Sequence, residues 1–522
     1  MSAQRLWAIV RADFLVRLRR PSTAIVFLLL SAVPYLWVPD PATGRALMEI
    51  AGKRALYNSA TIGMATATLG TLFIGLFGFY VISNALRRDV LSRCGYVIAS
   101  TTMRGSEYIA GKFAGNVVFL SVFTLGFMAT SMAMVLVRGE APLDPLLFAK
   151  QYLLLAPPAI AFVSAIAIAF ECTPVLRTKF GDVLYFFIWM ALLGAVVSTL
   201  EKSAGAQWAH LFDISGFGML QEQLRTFYGT KSLSIGATNF DASKGTMDFG
   251  GLRLTPRWLM IRGIAALWPM SFLLLARLFF HRFDPARVRA VPNEKSRRSW
   301  LGRLNFLAKP LARLAVRVLA PLSRTPALTD ALTTIAGFPL ALVAIVGCAI
   351  AALAAGSAKT LFTGVLPLAT AACAIAIADI AAREKRAGTS ALVFAAPHLR
   401  ERFVFWKFSS TLFVALAFLG VPLACAIRTR PHMTVALLAG VVFLTAAATA
   451  LGIVSANPKT FIVGFLTFWY IASQDRGATP ALDFAGWFGT ATPAIVAAYA
   501  AGALLLLAAA QLFHARELRS RW

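Results

Sequence analysis

The run from Gly105 to Gly111-Lys112 is the part of this chain closest to a catalytic device, the loop whose backbone amides cradle nucleotide phosphates. That loop needs four residues between its glycines, then Lys, then a Ser or Thr whose hydroxyl holds Mg²⁺. Here the first glycine stands one place too early, and Phe113 occupies the hydroxyl position. No strand pattern precedes it. The histidines (His210, His281, His398, His432, His514) are dispersed. The cysteines (Cys94, Cys172, Cys348, Cys373, Cys425) form no C-x-x-C and no metal-ligand spacing with histidine. Cys348, Cys373 and Cys425 sit in apolar runs, as small hydrophobes do. No G-x-S-x-G occurs. The sequence therefore reads as a non-enzyme with no catalytic, cofactor-binding or metal-binding set of its own.

Two clusters of mixed charge remain. Arg87, Arg88, Asp89 and Arg93 open a hydrophilic stretch at 87–112, and Arg383, Glu384, Lys385 and Arg386 open another at 382–407. Each surrounds a short, helix-compatible middle and ends in a lysine, Lys112 or Lys407, at the mouth of an apolar run. Such charges perform no chemistry. Their length and duplication favour the docking of a partner; the alternative is solvated anchoring of helix ends.

The elements that position these clusters lie in a membrane. Hydrophobic residues make up 58% of the chain and charged residues 14%, against about 25% charged in soluble domains. The surplus is concentrated in continuous runs, which in lipid must be helices because every backbone group has to be satisfied within the segment. Alternation suited to a barrel is missing. Twelve candidate spans follow: 22–38, 61–86, 113–137, 152–170, 182–200, 258–280, 335–354, 361–380, 408–427, 435–454, 461–471 and 493–513. The fold class is thus an all-α polytopic membrane protein with about twelve transmembrane helices as two related six-helix halves. The halves run 1–283 and 331–522, joined by a basic linker at 284–330 whose polar, Pro-containing start (284–299) reads as a hinge.

An even span count places both termini on one side. With the termini inside, the inside segments hold 33 Lys and Arg and the outside segments 15, with Arg262 and Arg277 within a span. That bias follows the retention of basic residues in the cytoplasm. It also explains the net charge of +27 by contact with membrane lipid rather than nucleic acid. Each half begins with a basic amphipathic stretch. The first carries Trp7, Val10 and Phe14 among arginines, and the second a stripe of Leu304, Leu307, Leu311, Leu314 and Val318; such helices lie on the inner leaflet. The span interiors are nearly free of charge. Glu171, Asp379, Arg262 and Arg277 stand towards span ends, where snorkelling or an interfacial contact accounts for them. The halves share a further detail. Asp213-Ile214-Ser215-Gly216-Phe217 precedes the sixth span and Asp483-Phe484-Ala485-Gly486-Trp487 the twelfth. They differ at 201–257, a long outer segment found only in the first half, with a Gly- and Ser-rich run at 229–251.

This plan resembles the membrane subunits of type-2 ABC exporters, permeases of six spans per half. Those begin with an amphipathic helix, and a cytoplasmic coupling helix joins their second and third spans. In the second half the resemblance rests on Arg383-Glu384-Lys385-Arg386-Ala387-Gly388-Thr389, then Ala395-Ala396-Pro397, then Lys407. In the first it rests on Arg88-Asp89, Gly95 and Gly111-Lys112. Tyr96 replaces Thr there, and Thr102 or Met103 stands where Pro would be, which leaves the position of the first coupling helix open. The resemblance implies two copies of a cytoplasmic ABC ATPase subunit, with ATP and Mg²⁺ bound by that partner and not by this chain. It implies docking through Arg88, Asp89, Arg93, Gly95 and Arg104 in one loop. In the other, docking falls to Arg383, Glu384, Arg386, Gly388, Thr389, Pro397 and Arg400. It also implies export of a hydrophobic or amphipathic substrate across a cell membrane, such as a bacterial inner membrane. Two other readings stay open: a twelve-span secondary carrier of the major facilitator kind, and a membrane enzyme or scaffold. The first lacks the buried ionisable residues that a proton relay needs, and the second lacks clustered His, Asp or Glu.

Overall fold

Several helices of this protein start where a capping side chain is followed by proline. Asp144 Oδ1 accepts from the amides of Leu146 and Leu147, both at 3.0 Å, ahead of Pro145. Asn457 Oδ1 accepts from the Lys459 amide at 3.1 Å, ahead of Pro458. Both devices satisfy amides that a first turn leaves without a helical partner, and proline has no amide to lose there. The computed structural model describes residues 3–19, 27–28, 31–35, 37–173, 176–177, 179–202, 207–230, 232–281, 283, 310, 313–314, 317, 321, 325–337, 340–477 and 479–521. Part of the first predicted span (22–38) and most of the linker with its leucine stripe (284–330) lie outside these residues.

The chain divides into two units, Met1–Val291 and Pro292–Trp522. In the first, α1 (Ala3–Leu18) is followed by β1 (Arg45–Ile50) and β2 (Lys53–Ala55). Next come α2 (Ser59–Phe73), a π-helical turn at Ile74–Gly78 and α3 (Phe79–Ile82). Two short helices, α4 (Ala85–Leu91) and α5 (Cys94–Ser100), lead to α6 (Gly105–Arg138), α7 (Pro145–Cys172) and α8 (Lys179–Lys202). After α9 (Phe217–Tyr228), β3 (Leu233–Asn239) and β4 (Thr246–Met247), the unit ends in α10 (Pro256–Leu267) and α11 (Ser271–Phe279).

The second unit holds α12 (Pro326–Gly337), α13 (Leu340–Leu353) and α14 (Leu366–Ile377). Three short helices follow: α15 (Arg383–Ala387), α16 (Ser390–Phe394) and α17 (Pro397–Glu401). The long helices α18 (Phe403–Thr429), α19 (Thr434–Ser455), α20 (Pro458–Asp475) and α21 (Pro493–Arg521) complete it.

Among the described residues, nine helices are long and apolar enough to cross a membrane, or ten if the bent pair α12 and α13 is one span. The protein is therefore a predominantly helical, multi-pass membrane protein. The nine coincide with nine of the twelve sequence candidates. The candidate at 335–354 falls on that pair, which bends by 97°. The candidate at 461–471 lies in α20, a helix of 18 residues that is not among the nine.

One element departs from an all-helical reading. The first unit carries a four-stranded sheet of order β3-β1-β2-β4 at the end of α2 far from α4. β1 and β2 form an antiparallel hairpin in which Ile50 faces Lys53, leaving Ala51 and Gly52 as a two-residue turn. Both turn residues have positive φ (53° and 77°), the backbone that matches strand twist in tight hairpins. β3 and β4 come from the long segment at 201–257, so this segment folds onto the loop ahead of α2. Tyr57 pins the sheet: its hydroxyl accepts from the Leu47 amide at 2.8 Å and donates to the Pro39 carbonyl at 3.0 Å. Arg54 and Glu140 add a bidentate pair at 2.8 and 2.6 Å.

The D-x-x-G segments also share a local structure. Asp213 and Asp483 are buried, and Gly216 and Gly486 both adopt left-handed backbone at φ 77° and 67°. Asp213 Oδ1 accepts from the Gly216 amide at 2.8 Å. Asp483 Oδ2 accepts from the Thr490 amide at 3.0 Å. Asp213 organises the chain entering α9, and Asp483 the chain ahead of α21.

Arg262 does not snorkel. It is buried in α10, and its guanidinium donates to the carbonyls of Leu154 (3.0 Å), Leu155 (2.9 Å), Ile214 (3.5 Å) and Asp213. Pro158 inside α7 has no amide to give to the Leu154 carbonyl; Arg262 supplies the missing donor. Arg262→Met should therefore leave these carbonyls unpaired. We expect a loss on the order of 2 kcal/mol in stability, read as a lower unfolding temperature in detergent, with Arg277→Met, at an exposed position, as the neutral control.

Candidate functional site

Both charged loops turn half of their charge inward, onto a lysine. In the first unit Lys112 sits one turn after Tyr108 on α6. Its ammonium lies 3.0 Å from Asp13 Oδ1 on α1 and 2.8 Å from Asp89 Oδ2 on α4. The Tyr108 hydroxyl donates to the same Asp89 oxygen at 2.5 Å. Asp13 Oδ2 pairs with Arg17 at 2.6 Å, and Arg17 also donates to Asn116 Oδ1 at 2.6 Å. Two glycines permit this approach. A Cβ on Gly111 would come within 2.7 Å of Ile9, and one on Gly115 within 3.4 Å of Asp13 Oδ2. Small residues at this spacing let helices close up in a membrane, and here they bring α1 within reach of Lys112.

The second unit repeats the arrangement with different residues. Lys407 on α18 is fully buried. Its ammonium lies 2.8 Å from Asp330 Oδ2 on α12 and contacts Glu384 Oε1 on α15. Asp330 Oδ1 pairs with Arg383 at 3.0 Å, and Arg383 also donates to Thr334 Oγ1 at 2.8 Å. In both units, then, one lysine at the mouth of a long helix bridges two carboxylates. One stands on the helix before the spans and the other in the charged loop, next to an arginine (Arg88-Asp89, Arg383-Glu384). A buried charge survives only with such partners.

The expected docking residues fall into two groups. Asp89, Arg383 and Glu384 belong to these internal clusters. Arg88 is half-buried, and its charge helps to hold the Asp13 carboxyl down. Arg386 pairs with Asp379 at 2.5 Å, which removes the need for an interfacial role at Asp379. Gly95 is buried, with Phe283 where its Cβ would be. Gly388 ends α15 in left-handed backbone (φ 71°), as a helix C-cap glycine does. Arg93 (φ 60°), Arg104 and Thr389 are exposed, Pro397 opens α17, and the Arg400 carbonyl contacts His514 Nε2 at 2.9 Å.

The residues missed by sequence reasoning are those outside the loops. Asp13, Arg17, Tyr108, Asn116 and Asp330 complete the clusters. Glu171, far from snorkelling, caps α4 from outside: its carboxylate accepts from the amides of Ala85 (3.0 Å), Leu86 (2.7 Å) and Arg87 (3.4 Å). Lys385 is tied to Glu517 at 2.5 Å and to the Ile453 carbonyl at 3.0 Å. The signal present in the sequence was the pairing of Gly111-Lys112 with Gly115-Asn116. On α1, the face turned to α6 is Val10, Asp13 and Arg17, while Trp7 is 64% exposed. Trp7, Val10 and Phe14 lie on one side of α1, where Val10 is buried, Phe14 meets Phe119 of α6 edge-on and Trp7 is left exposed.

No group of His, Cys, Asp or Glu among the described residues is arranged to hold a metal. No protein-family model, curated protein or solved structure matches this chain.

Burial pushes the Asp13 carboxyl up, but the charges of Arg17, Lys112 and Arg88 and the hydrogen bond from Lys112 outweigh it and hold the group below its ordinary 3.8. A depressed carboxyl contributes stability above its unfolded pKa and loses it as pH falls through the folded value. Asp13→Asn should thus cost about 3 kcal/mol at neutral pH, as breaking a buried pair does. The gap in unfolding temperature between wild type and variant should hold down to about pH 4 and close only in stronger acid.

Proposed function

We propose that this chain is the membrane-spanning subunit of an ATP-driven exporter of the type-2 ABC kind, with two six-helix permease halves in one polypeptide. The observation that carries this reading is the repeated cluster. In each unit, one lysine ties together the helix ahead of the spans, the loop after the second span and the start of the third. Such a repeat suits a machine in which a loop must pass force to two helices at once, in duplicate. On this reading two copies of a cytoplasmic ATPase subunit bind ATP and Mg²⁺ and press on the two loops. The chain itself performs no chemistry.

The surface that remains for the ATPase lies around the clusters rather than in them. In the first loop it comprises Arg93, Tyr96, Val97 and Arg104, with Val97 67% exposed. In the second it centres on Leu392, 77% exposed, with Thr389 and Arg402. The carrier reading gains no support from Arg262, whose donors are engaged by backbone carbonyls. A hydrophobic substrate would suit the apolar lining of Gly70, Phe73, Phe77, Phe123 and Phe127 beside the π-helical turn.

The test is co-purification in detergent with the candidate ATPase, followed by ATP hydrolysis in lipid discs. Two ATPase copies per chain are expected. Arg93→Glu with Val97→Asp, or Leu392→Asp with Arg402→Glu, should weaken capture by at least about tenfold without lowering the unfolding temperature. Failure of any ATPase to bind the intact chain would sink the proposal. Sidedness is tested separately: exposed Cys94 should resist a membrane-impermeant thiol reagent in intact cells. A cysteine placed at Lys244, beside the sheet, should react; the reverse pattern would invert the topology.

A further inference from the structure

In each unit the loop contributes an Arg-acid dipeptide, and the surface that receives it contributes the opposite charges. Arg383 lies on Asp330 and Glu384 on Lys407. Asp89 lies on Lys112, and Arg88 stands close enough to Asp13 to lower its carboxyl. The receiving pair is itself bonded, Asp13 to Lys112 at 3.0 Å and Asp330 to Lys407 at 2.8 Å. Each lysine therefore has two carboxylate partners of different kinds. One belongs to the helix ahead of the spans and the other to the loop.

This duplication has an energetic consequence. Removing one member of a buried ion pair strands its partner, which is strongly unfavourable. Here, withdrawal of the loop would remove one positive and one negative charge together, and the pair left behind would still be an ion pair. The departing arginine and carboxylate are adjacent in sequence and reach water as a neutral dipeptide. The backbone is jointed on either side of the first such segment. Asn84 (φ 71°) precedes α4 and Arg93 (φ 60°) follows it, both left-handed. In the second unit Gly388 (φ 71°) breaks the chain after α15. Glu171 holds the first-turn amides of α4, before Arg88 and Asp89, and Lys385–Glu517 holds the turn of α15 after Glu384, whereas the bonds from Tyr108 to Asp89 and from Arg383 to Thr334 break when the loop departs.

We infer that Arg88-Asp89 and Arg383-Glu384 are detachable plugs. The pairs Asp13–Lys112 and Asp330–Lys407 are permanent sockets that keep the leading helix and the third span moving as one body. This rests on the coupling reading for its purpose, but its geometry and its test do not need the ATPase. Lys112 and Lys407 act as positioning residues that hold one bond constantly and exchange the other.

The experiment is hydrogen–deuterium exchange of the purified full chain in lipid discs, without any partner. It compares wild type with Asp89→Asn and Glu384→Gln, and with Arg88→Gln and Arg383→Gln as milder changes should the first pair fold poorly. The inference expects amides in 85–93 and 383–389 to exchange about tenfold faster in the variants. Those in 6–18, 105–120, 326–336 and 403–415 should stay at wild-type rates. If the leading helix and the third span loosen together with the loop, or if nothing loosens, the plug is a fixed structural pin and the inference is overturned. A second arm adds the ATPase and measures nucleotide-stimulated transport. Loss of stimulation in variants whose exchange pattern is as expected supports the plug as the coupling element. Normal exchange behaviour in a chain that binds no ATPase would retain the plug and discard the exporter reading.

Discussion

A lysine ammonium withdrawn from water at the mouth of an apolar helix needs anions around it, and this need organises the loop-bearing end of each unit. Lys407 is fully enclosed and Lys112 almost so. Neither has an acidic residue within one turn before or after it on its own helix; Glu107, a turn and a half back on α6, is engaged by the Arg104 amide and Arg5. The anions must come from other segments. That requirement brings α1 against α6, and Gly111 is the local consequence, since a methyl group there would collide with Ile9. It also brings α12 to α18 and folds each loop back on the start of its third span.

Much of the architecture was legible because lipid leaves few choices. Continuous apolar runs of adequate length became helices, and nine of the twelve stand as long apolar helices in the structure. What escaped the sequence depended on partners far away along the chain. The strands of the sheet are two to seven residues long, and β1 pairs with β3 across some 190 positions, so no local alternation announces them. Arg262 looked like a residue seeking the membrane surface; its role depends on Pro158, more than a hundred positions earlier, having left a carbonyl without a donor. Glu171 looked the same and instead caps a helix that begins 86 residues before it.

Both charged stretches fold as short helices between longer ones, and only part of each cluster faces water. A charge cluster in a sequence does not say which members face water. The spacing that decides it is on the neighbouring helix: Lys112 follows Tyr108 by four, and both reach Asp89 from the same face. Arg93 and Arg104 have no such counterpart and remain outside. The D-x-x-G segments were better guides than their brevity suggested, because the left-handed glycine and buried aspartate recur in both units, although the amides that each aspartate accepts from differ.

The two units differ where they are free to differ. The first has the sheet, and it seats its loop with aromatic residues, Phe280 stacked on Tyr108 and Phe283 edge-on to it, with Gly95 against Phe283. The second secures its loop with the end of α21, through Glu517 on Lys385 and His514 on the Arg400 carbonyl between the rings of Phe394 and Phe403. Aromatic packing tolerates sliding, because dispersion and apolar burial have little directionality. A short ion pair and a hydrogen-bonded histidine tolerate less, because a polar group parted from its partner while still shielded from water loses more than it gains. The aromatic seat of the first loop thus yields gradually, while its Glu171 cap, like the contacts of the second loop, is either made or broken. Against these unlike supports the lysine-centred cluster recurs in both; on the proposed coupling reading, that puts the common mechanical step at the lysine and leaves each support to set how readily its loop departs.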